Sequence, residues 1–252
     1  MLYIAYAILY LLIFSFGCVI FSFLNVVAYR LPRGLSPFKG RSNCTSCSHQ
    51  LHAVDLIPIL SYLSLKGRCR YCGARFSPRY VLTEAAGGVI AALLFARFGL
   101  PLFLFYFAVA GVLAVVALAD FDVQEIPDST HIALAVLGIV SIWVGPEVKL
   151  LSRIIGVFCV SVPFLILAMT LGAFGGGDIK LMAAAGFLLG WQNTLLAALI
   201  GIVLGGLVAV IMLAAKKAGR KTQIAFGPYL CVGIFTALLF GSEIIGWYIS
   251  FF

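Results

Sequence analysis

The first 29 residues carry no charged side chain, and residues 30–79 then hold nine of the chain's 17 Lys and Arg residues. Beyond that segment, polar positions return only as brief punctuation between apolar runs. The alternation predicts membrane-spanning helices of about 20 residues joined by short loops. After a first span at 1–29, spans are predicted at 80–96, 100–119, 130–145 and 154–174. Residues 181–215 are uncharged for 35 positions, too many for one ordinary helix. The Gly190-Trp191-Gln192-Asn193 step supplies a turn between two shorter helices there. A last span is predicted over 224–240, ahead of Glu243. The expected fold is an all-α polytopic membrane protein with about eight transmembrane helices. Residues 1–29 are expected to be a retained helix, because a removable signal peptide needs an early basic region and a shorter apolar core.

Composition agrees with this pattern. The chain is 63% hydrophobic and 10% charged, against about 45–50% and about 25% in soluble domains. Mean hydropathy is +1.14. A soluble enzyme, a disordered chain and a nucleic-acid-binding protein all fit poorly, so the net charge of +8 is read first as membrane topology. If the 30–79 loop is cytoplasmic, eight spans place Lys180 and the four basic residues of 216–221 on the same side. Fourteen basic residues are then inside, and Arg97, Lys149 and Arg153 are outside. Both termini are expected outside. The chain divides into a first transmembrane helix (1–29), a cytoplasmic loop (30–79) and a transmembrane core (80–252).

Four of the seven cysteines lie in that loop as Cys44-Thr-Ser-Cys47 and Cys69-Arg-Tyr-Cys72. Two such knuckles can present four thiolates to one tetrahedral Zn²⁺. Stable disulfides suit a cytoplasmic loop poorly, and a redox dithiol would normally sit in a βαβ unit that the pattern lacks. Four cysteines leave no open coordination position, so the metal is expected to be structural. His49 and His52 are spare donors nearby, read as solvent-exposed loop residues. Cys18, Cys159 and Cys231 sit singly in apolar runs and are given no role.

Five of the nine acidic residues gather at two membrane edges. Asp120, Asp122, Glu125 and Asp128 crowd one short segment, and Asp178 ends Gly175-Gly-Gly-Asp178. Ionisable groups at the edge of hydrocarbon are costly unless paired or wet, which makes them functional candidates. Asp128 is suited to capping the next helix, and Asp122 and Glu125 to solvation. Asp120 closes an uncharged run of 22 residues, and Asp178 holds a similar position on another helix. Two carboxyls brought together can act as an acid and base pair, as in an aspartic protease. The same pattern also suits a cation or proton site in a transporter. Residues alone weigh these two readings equally.

The ordered motifs resemble the type IV prepilin peptidases, the membrane aspartic proteases also called leader peptidase/N-methyltransferases. The segment 22–32 (SFLNVVAYRLP) resembles the family's approach to its cytoplasmic loop. Residues 55–63 (DLIPILSYL), between the CxxC pairs, are similar to the loop centre. Residues 79–84 (RYVLTE) resemble the entry to the second span, with Val81 where proline is usual. Residues 119–130 (ADFDVQEIPDST) and 175–180 (GGGDIK) resemble the two aspartate motifs. The resemblance implies catalysis by Asp120 and Asp178, with residues 80–252 as the peptidase core. It implies cleavage of the basic leader from type IV prepilins or pseudopilins at the bacterial cytoplasmic (inner) membrane. It further implies methylation of the new N-terminus from S-adenosylmethionine. No Gly-rich dinucleotide fingerprint marks a methyl-donor site. Glu84, inside a predicted span, is read as pairing with an arginine such as Arg79.

Overall fold

Within hydrocarbon each backbone N–H and C=O must find a partner in its own segment, and the apolar runs accordingly become helices. The computed structural model describes residues 1–144, 148–172, 174–215 and 224–251. Gly145, the expected end of the fourth span, and the basic cluster at 216–221 lie outside the described residues. The chain forms two compact units, residues 1–111 and 112–252. Among the described residues there is no strand, only the isolated bridges Asn43–Gln50 and Arg68–Arg75. Among the described residues, five helical stretches are long and apolar enough to cross a membrane: Tyr3–Arg33, Arg79–Val123, Leu150–Leu171, Trp191–Ala214 and Gly227–Ile249. The protein is a multi-pass membrane protein.

In the first unit, α1 (Leu2–Arg30) runs into a 3₁₀ turn (Leu31–Arg33) and then the cysteine loop. That loop contains a second 3₁₀ turn (Ala53–Leu56) and the short α2 (Leu60–Ser64). It leads into α3 (Arg79–Val123), which is interrupted at Gly99 (φ 67°, ψ 178°) with Pro101 just beyond. The break falls between the predicted spans 80–96 and 100–119. α1 meets the first part of α3 closely, since a Cβ on Gly17 would lie 2.4 Å from the Gly87 carbonyl oxygen. One polar rung joins the two helices. Asn25 Nδ2 donates to Thr83 Oγ1 (2.6 Å), which donates onward to the Tyr80 carbonyl (2.9 Å).

In the second unit, α3 stays helical to Val123, so Asp120 and Asp122 belong to a helix end rather than to the predicted loop. There follow α4 (Asp128–Val144), α5 (Leu150–Cys159), α6 (Ser161–Leu171), α7 (Gly176–Leu189), α8 (Trp191–Ala214) and α9 (Gly227–Ile249). The 181–215 run does break at Gly190 (φ 76°, ψ 164°), a conformation that glycine adopts without steric cost. α9 continues past Glu243, further than the predicted end at 240. α7 packs against α4, α5, α6, α8 and α9, and its Leu181, Met182 and Ala185 are fully buried.

Lipid gives apolar helices little reason to prefer each other over acyl chains, so association rests on close van der Waals contact at small residues. Gly156 of α5 and Gly186 of α7 show this directly. A Cβ on Gly186 would lie 2.0 Å from the Gly156 carbonyl oxygen, and one on Gly156 would lie 2.3 Å from the Gly186 oxygen. α9 meets α8 similarly, with Gly233 against the Ala197 carbonyl. Arg153, 2% exposed, fastens the far end of α7 by donating to the Phe187 and Leu188 carbonyls (both 3.1 Å). These are carbonyls at a helix C-terminus, where a cation is favoured.

Two alanine substitutions should therefore differ in sign. Gly186→Ala should lower the thermal unfolding midpoint in detergent, because backbone cannot yield as a flexible side chain can. Gly206→Ala, in the middle of α8 with open space around it, should leave the midpoint unchanged or raise stability by up to about 1 kcal/mol.

Candidate functional site

Asp120 and Asp178 come from the end of α3 and the start of α7, and both line a cavity of about 390 Å³. Both are buried, at 6% and 8% exposure. A carboxylate in the last turn of a helix opposes that helix's own dipole. Asp120 is accommodated by a different helix: the N–H of Gly227, first residue of α9, donates to its Oδ2 (2.8 Å). Asp178 lies in the first turn of α7, where negative charge is favoured, and its Oδ2 accepts the Gly175 N–H (3.3 Å). Its Oδ1 is buried without a hydrogen-bond partner. Each carboxyl thus rests at a helix N-terminus, and Asp178 keeps one oxygen uncommitted.

The neighbouring acidic residues differ from this pair in exposure, and the exposed Asp128 also lines the cavity. Asp122 and Glu125 are exposed, and Glu125 also lines the cavity. Asp128, expected as a helix cap, instead accepts from Lys180 Nζ (2.7 Å), tying the start of α4 to the N-terminal part of α7. Two further residues escaped the sequence reading. Gly227 is the donor to Asp120, and a Cβ there would sit 2.8 Å from Asp120 Oδ2. The available signal was the Gly227-Pro228 pair opening an apolar run, a helix-start pattern. His131, 7% exposed, places Nε2 3.1 Å from the Gly177 carbonyl oxygen.

The cysteine loop builds a second site. In each knuckle the leading cysteine donates its N–H five residues ahead: Cys44 to the His49 carbonyl (2.9 Å), and Cys69 to the Ala74 carbonyl (2.8 Å). Each also accepts a return bond, from Ser48 N–H and from Gly73 N–H (both 2.9 Å). Ser48 (φ 57°) and Gly73 (φ 72°) hold the matching left-handed corner. The four Sγ atoms of Cys44, Cys47, Cys69 and Cys72 lie within 4.8 Å of one another, a group that could hold a metal ion. The backbone N–H groups of Cys47 and Ser46, aimed at the Cys44 sulfur, bring its thiol down to about 6. Cys72, despite a backbone hydrogen bond from Ala74 that favours its thiolate, is pushed up to about 12 by desolvation and the neighbouring thiols. His49 and His52 are exposed, with the His49 ring 3.7 Å from that of Tyr71 between centres and tilted by 32°.

The loop's middle segment is fastened at both ends. Asp55, its side chain 4% exposed, accepts from Arg70 Nε (2.7 Å) and the Tyr71 hydroxyl (3.0 Å), the two residues inside the second CxxC. Burial alone would raise the Asp55 pKa, but these bonds together with the Arg70 charge hold it below its ordinary value. Farther along, the Ile59 N–H donates to Glu84 Oε2 (2.9 Å). Glu84 thus receives a backbone donor from the loop, which the sequence reading did not anticipate.

Residues 15–98 match the family described as "Bacterial Peptidase A24 N-terminal domain", and residues 107–210 match the "Type IV leader peptidase family". The chain is similar to proteins named prepilin leader peptidase/N-methyltransferase. The one from Bacillus subtilis (strain 168) is 33% identical, with 95% of this chain and 97% of the relative covered. The one from Stutzerimonas stutzeri is 32% identical, covering 93% and 92%. The one from Legionella pneumophila is 30% identical, covering 96% and 95%. No solved structure matches.

Gly227→Ala should disturb the cavity without unfolding the bundle. The added methyl would press on the Asp120 carboxyl, and any enzymatic activity of the cavity should fall at least about tenfold if Asp120 takes part, since a displacement near 1 Å can cost about 10²-fold. Comparing activity and thermal midpoint of purified Gly227→Ala with wild type checks this.

Proposed function

We propose, since the chain belongs to the type IV leader peptidase family, that it is an aspartic endopeptidase removing the basic leader of type IV prepilins or pseudopilins. The observation that carries this reading is the pairing of Asp120 and Asp178 on one cavity, each held by a helix N-terminus. On this reading the two are the catalytic residues. One carboxylate takes a proton from water as its oxygen attacks the scissile carbonyl. The other, protonated, donates to the carbonyl oxygen, and the departing amine is then protonated as the tetrahedral species collapses. The dyad titrates as a unit, so neither aspartate owns a single role through the cycle. Residues 80–252 serve as the peptidase core, following 1–29 and the loop 30–79. The cavity faces the cytoplasm of a bacterium from its inner membrane, with both termini outside. The excess of basic residues on one side supports this orientation.

The cysteine cluster on this reading is a structural Zn²⁺ site. With Zn–S bonds of about 2.3 Å, tetrahedral geometry separates sulfurs by about 3.8 Å. Cys44 Sγ and Cys72 Sγ are 3.8 Å apart. The four residues therefore fit the ion, and Cys44, Cys47, Cys69 and Cys72 would hold it. Bound zinc would cross-link the two knuckles and fix the loop between them.

We extend the proposal to methylation of the amine that cleavage releases, with S-adenosylmethionine as the methyl donor. The relatives' shared name supports this part. The residues placed above include none that mark where that donor would sit, and hydrolysis at the carboxylates does not depend on it.

Asp120→Asn and Asp178→Asn should each reduce prepilin cleavage on the order of 10⁴-fold. Both variants should still insert and keep their metal, because asparagine's oxygen can accept the same N–H. A pre-cleaved pilin given to Asp178→Asn with S-adenosylmethionine should still gain a methyl group by mass spectrometry. Cleavage persisting at the wild-type rate in either variant would remove that aspartate from the mechanism.

Elemental analysis of purified protein should find close to one Zn²⁺ per chain. Cys69→Ser combined with Cys72→Ser should abolish it. Metal retained in that double variant would sink the zinc assignment.

A further inference from the structure

Three consecutive glycines precede Asp178, and a glycine run brings no side chains with which to fix its own position. Besides the Gly175 N–H bond to Asp178 within the turn, its neighbours must do so, and residues 126–131 supply three of them. A Cβ on Gly177 would meet Ile126 at 3.1 Å, so the isoleucine packs directly on this backbone. Asp128 holds Lys180 through an exposed ion pair, which water screens. His131 contributes the buried contact. With the Gly177 carbonyl as acceptor at 3.1 Å, its Nε2 carries the proton and donates. Gly177 is the residue directly before Asp178, so this bond fixes the peptide unit from which the Asp178 side chain springs. The His131 Nδ1 lies 3.5 Å from Asp128 Oδ1 and is buried without a hydrogen-bond partner. The ring is thus held chiefly through its Nε2 bond and its burial.

We propose that His131 is a positioning residue that holds the Gly175-Gly-Gly-Asp178 turn from the neighbouring helix, and with it the Asp178 carboxyl. This rests on the peptidase reading of Asp120 and Asp178. His131 itself does not line the cavity as described. It acts through the Gly177 carbonyl, by keeping the uncommitted Oδ1 of Asp178 at one place relative to Asp120. Substrate binding does not pass through this bond, so its loss should be read in turnover.

The test compares His131→Met, similar in reach but without a donor, with His131→Gln, whose amide N–H can donate where Nε2 does. Cleavage of a purified prepilin is followed across substrate concentration, beside metal content and thermal midpoint for each protein. In His131→Met, kcat should fall about ten- to a hundredfold with KM within about twofold, as for a misplaced catalytic group. His131→Gln should recover kcat to within about threefold of wild type. A glutamine variant as slow as the methionine variant, both variants at the wild-type rate, or a change confined to KM would each overturn the inference. Should His131→Met fail to insert, kcat of His131→Gln decides alone. A value near wild type supports the inference, and a hundredfold loss in a stably folded protein overturns it. Wild-type protein that cleaves no prepilin would instead overturn the functional reading on which this rests.

Discussion

The second unit depends on how closely helices can approach where lipid offers no hydrophobic drive to bring them together. At Gly156 and Gly186 two backbones meet at a distance that leaves no room for a methyl on either side. That contact seats α5 against α7, and α7 in turn touches the surrounding helices of its unit. Arg153 secures the C-terminal end of α7 through its last carbonyls. Its N-terminal end carries Asp178. The packing that stabilises this helix therefore also determines where one of the two buried carboxyls is presented.

Burying a carboxylate costs several kcal/mol unless hydrogen bonds or dipoles replace its water. The fold meets that cost with backbone instead of with cationic side chains. Gly227 N–H at the start of α9 serves Asp120, and Gly175 N–H at the start of α7 serves Asp178. An arginine in either place would neutralise the group and block the cavity. A helix N-terminus stabilises negative charge while occupying almost no volume. This explains why glycine stands at 227, where a Cβ would lie 2.8 Å from the Asp120 carboxyl. It also explains why the one lysine at the cavity, Lys180, is engaged by Asp128.

Much of this was legible in the sequence. Uncharged run lengths located the helices, including the break at Gly190, because membrane thickness imposes a length and charge marks its limits. The paired CxxC spacing located the cysteine cluster, and the membrane-edge placement of Asp120 and Asp178 singled out the two buried carboxyls among the acidic residues lining the cavity. What stayed hidden were partners joined by tertiary structure. Gly227 lies 107 positions from Asp120, and His131 lies 46 from Gly177. An apolar helix that is hydrophobic all round gives no periodic signal for which face meets which neighbour. Asp128 was misjudged for the same reason. Its local position suits a cap, but Lys180 approaches it from another helix.

The cysteine loop shows a different balance, because there the long-range partners are side chains with identifiable chemistry. Arg70 and Tyr71 occupy the two variable positions inside the second knuckle, and both bind Asp55. The knuckle thereby grips the segment that ends at Ile59, a β-branched residue held at φ 62°. A conformation of that kind costs on the order of 1–3 kcal/mol and persists only where its surroundings impose it. Two anchors impose it here: the Asp55 clamp on one side and the Ile59 N–H to Glu84 bond on the other. Glu84 stands in the first helical stretch of α3, beside the Asn25–Thr83 rung that ties α1 to α3. The second cysteine knuckle is thus connected, bond by bond, to the membrane helices of its own unit. Asp55, with its pKa held below the ordinary value, stays ionised at neutral pH. Its contribution to stability is present above the pKa of the unfolded chain and is lost only as pH falls through the depressed folded value. The clamp is therefore intact wherever the thiols can be deprotonated to take a metal, and the two constraints on the loop act together.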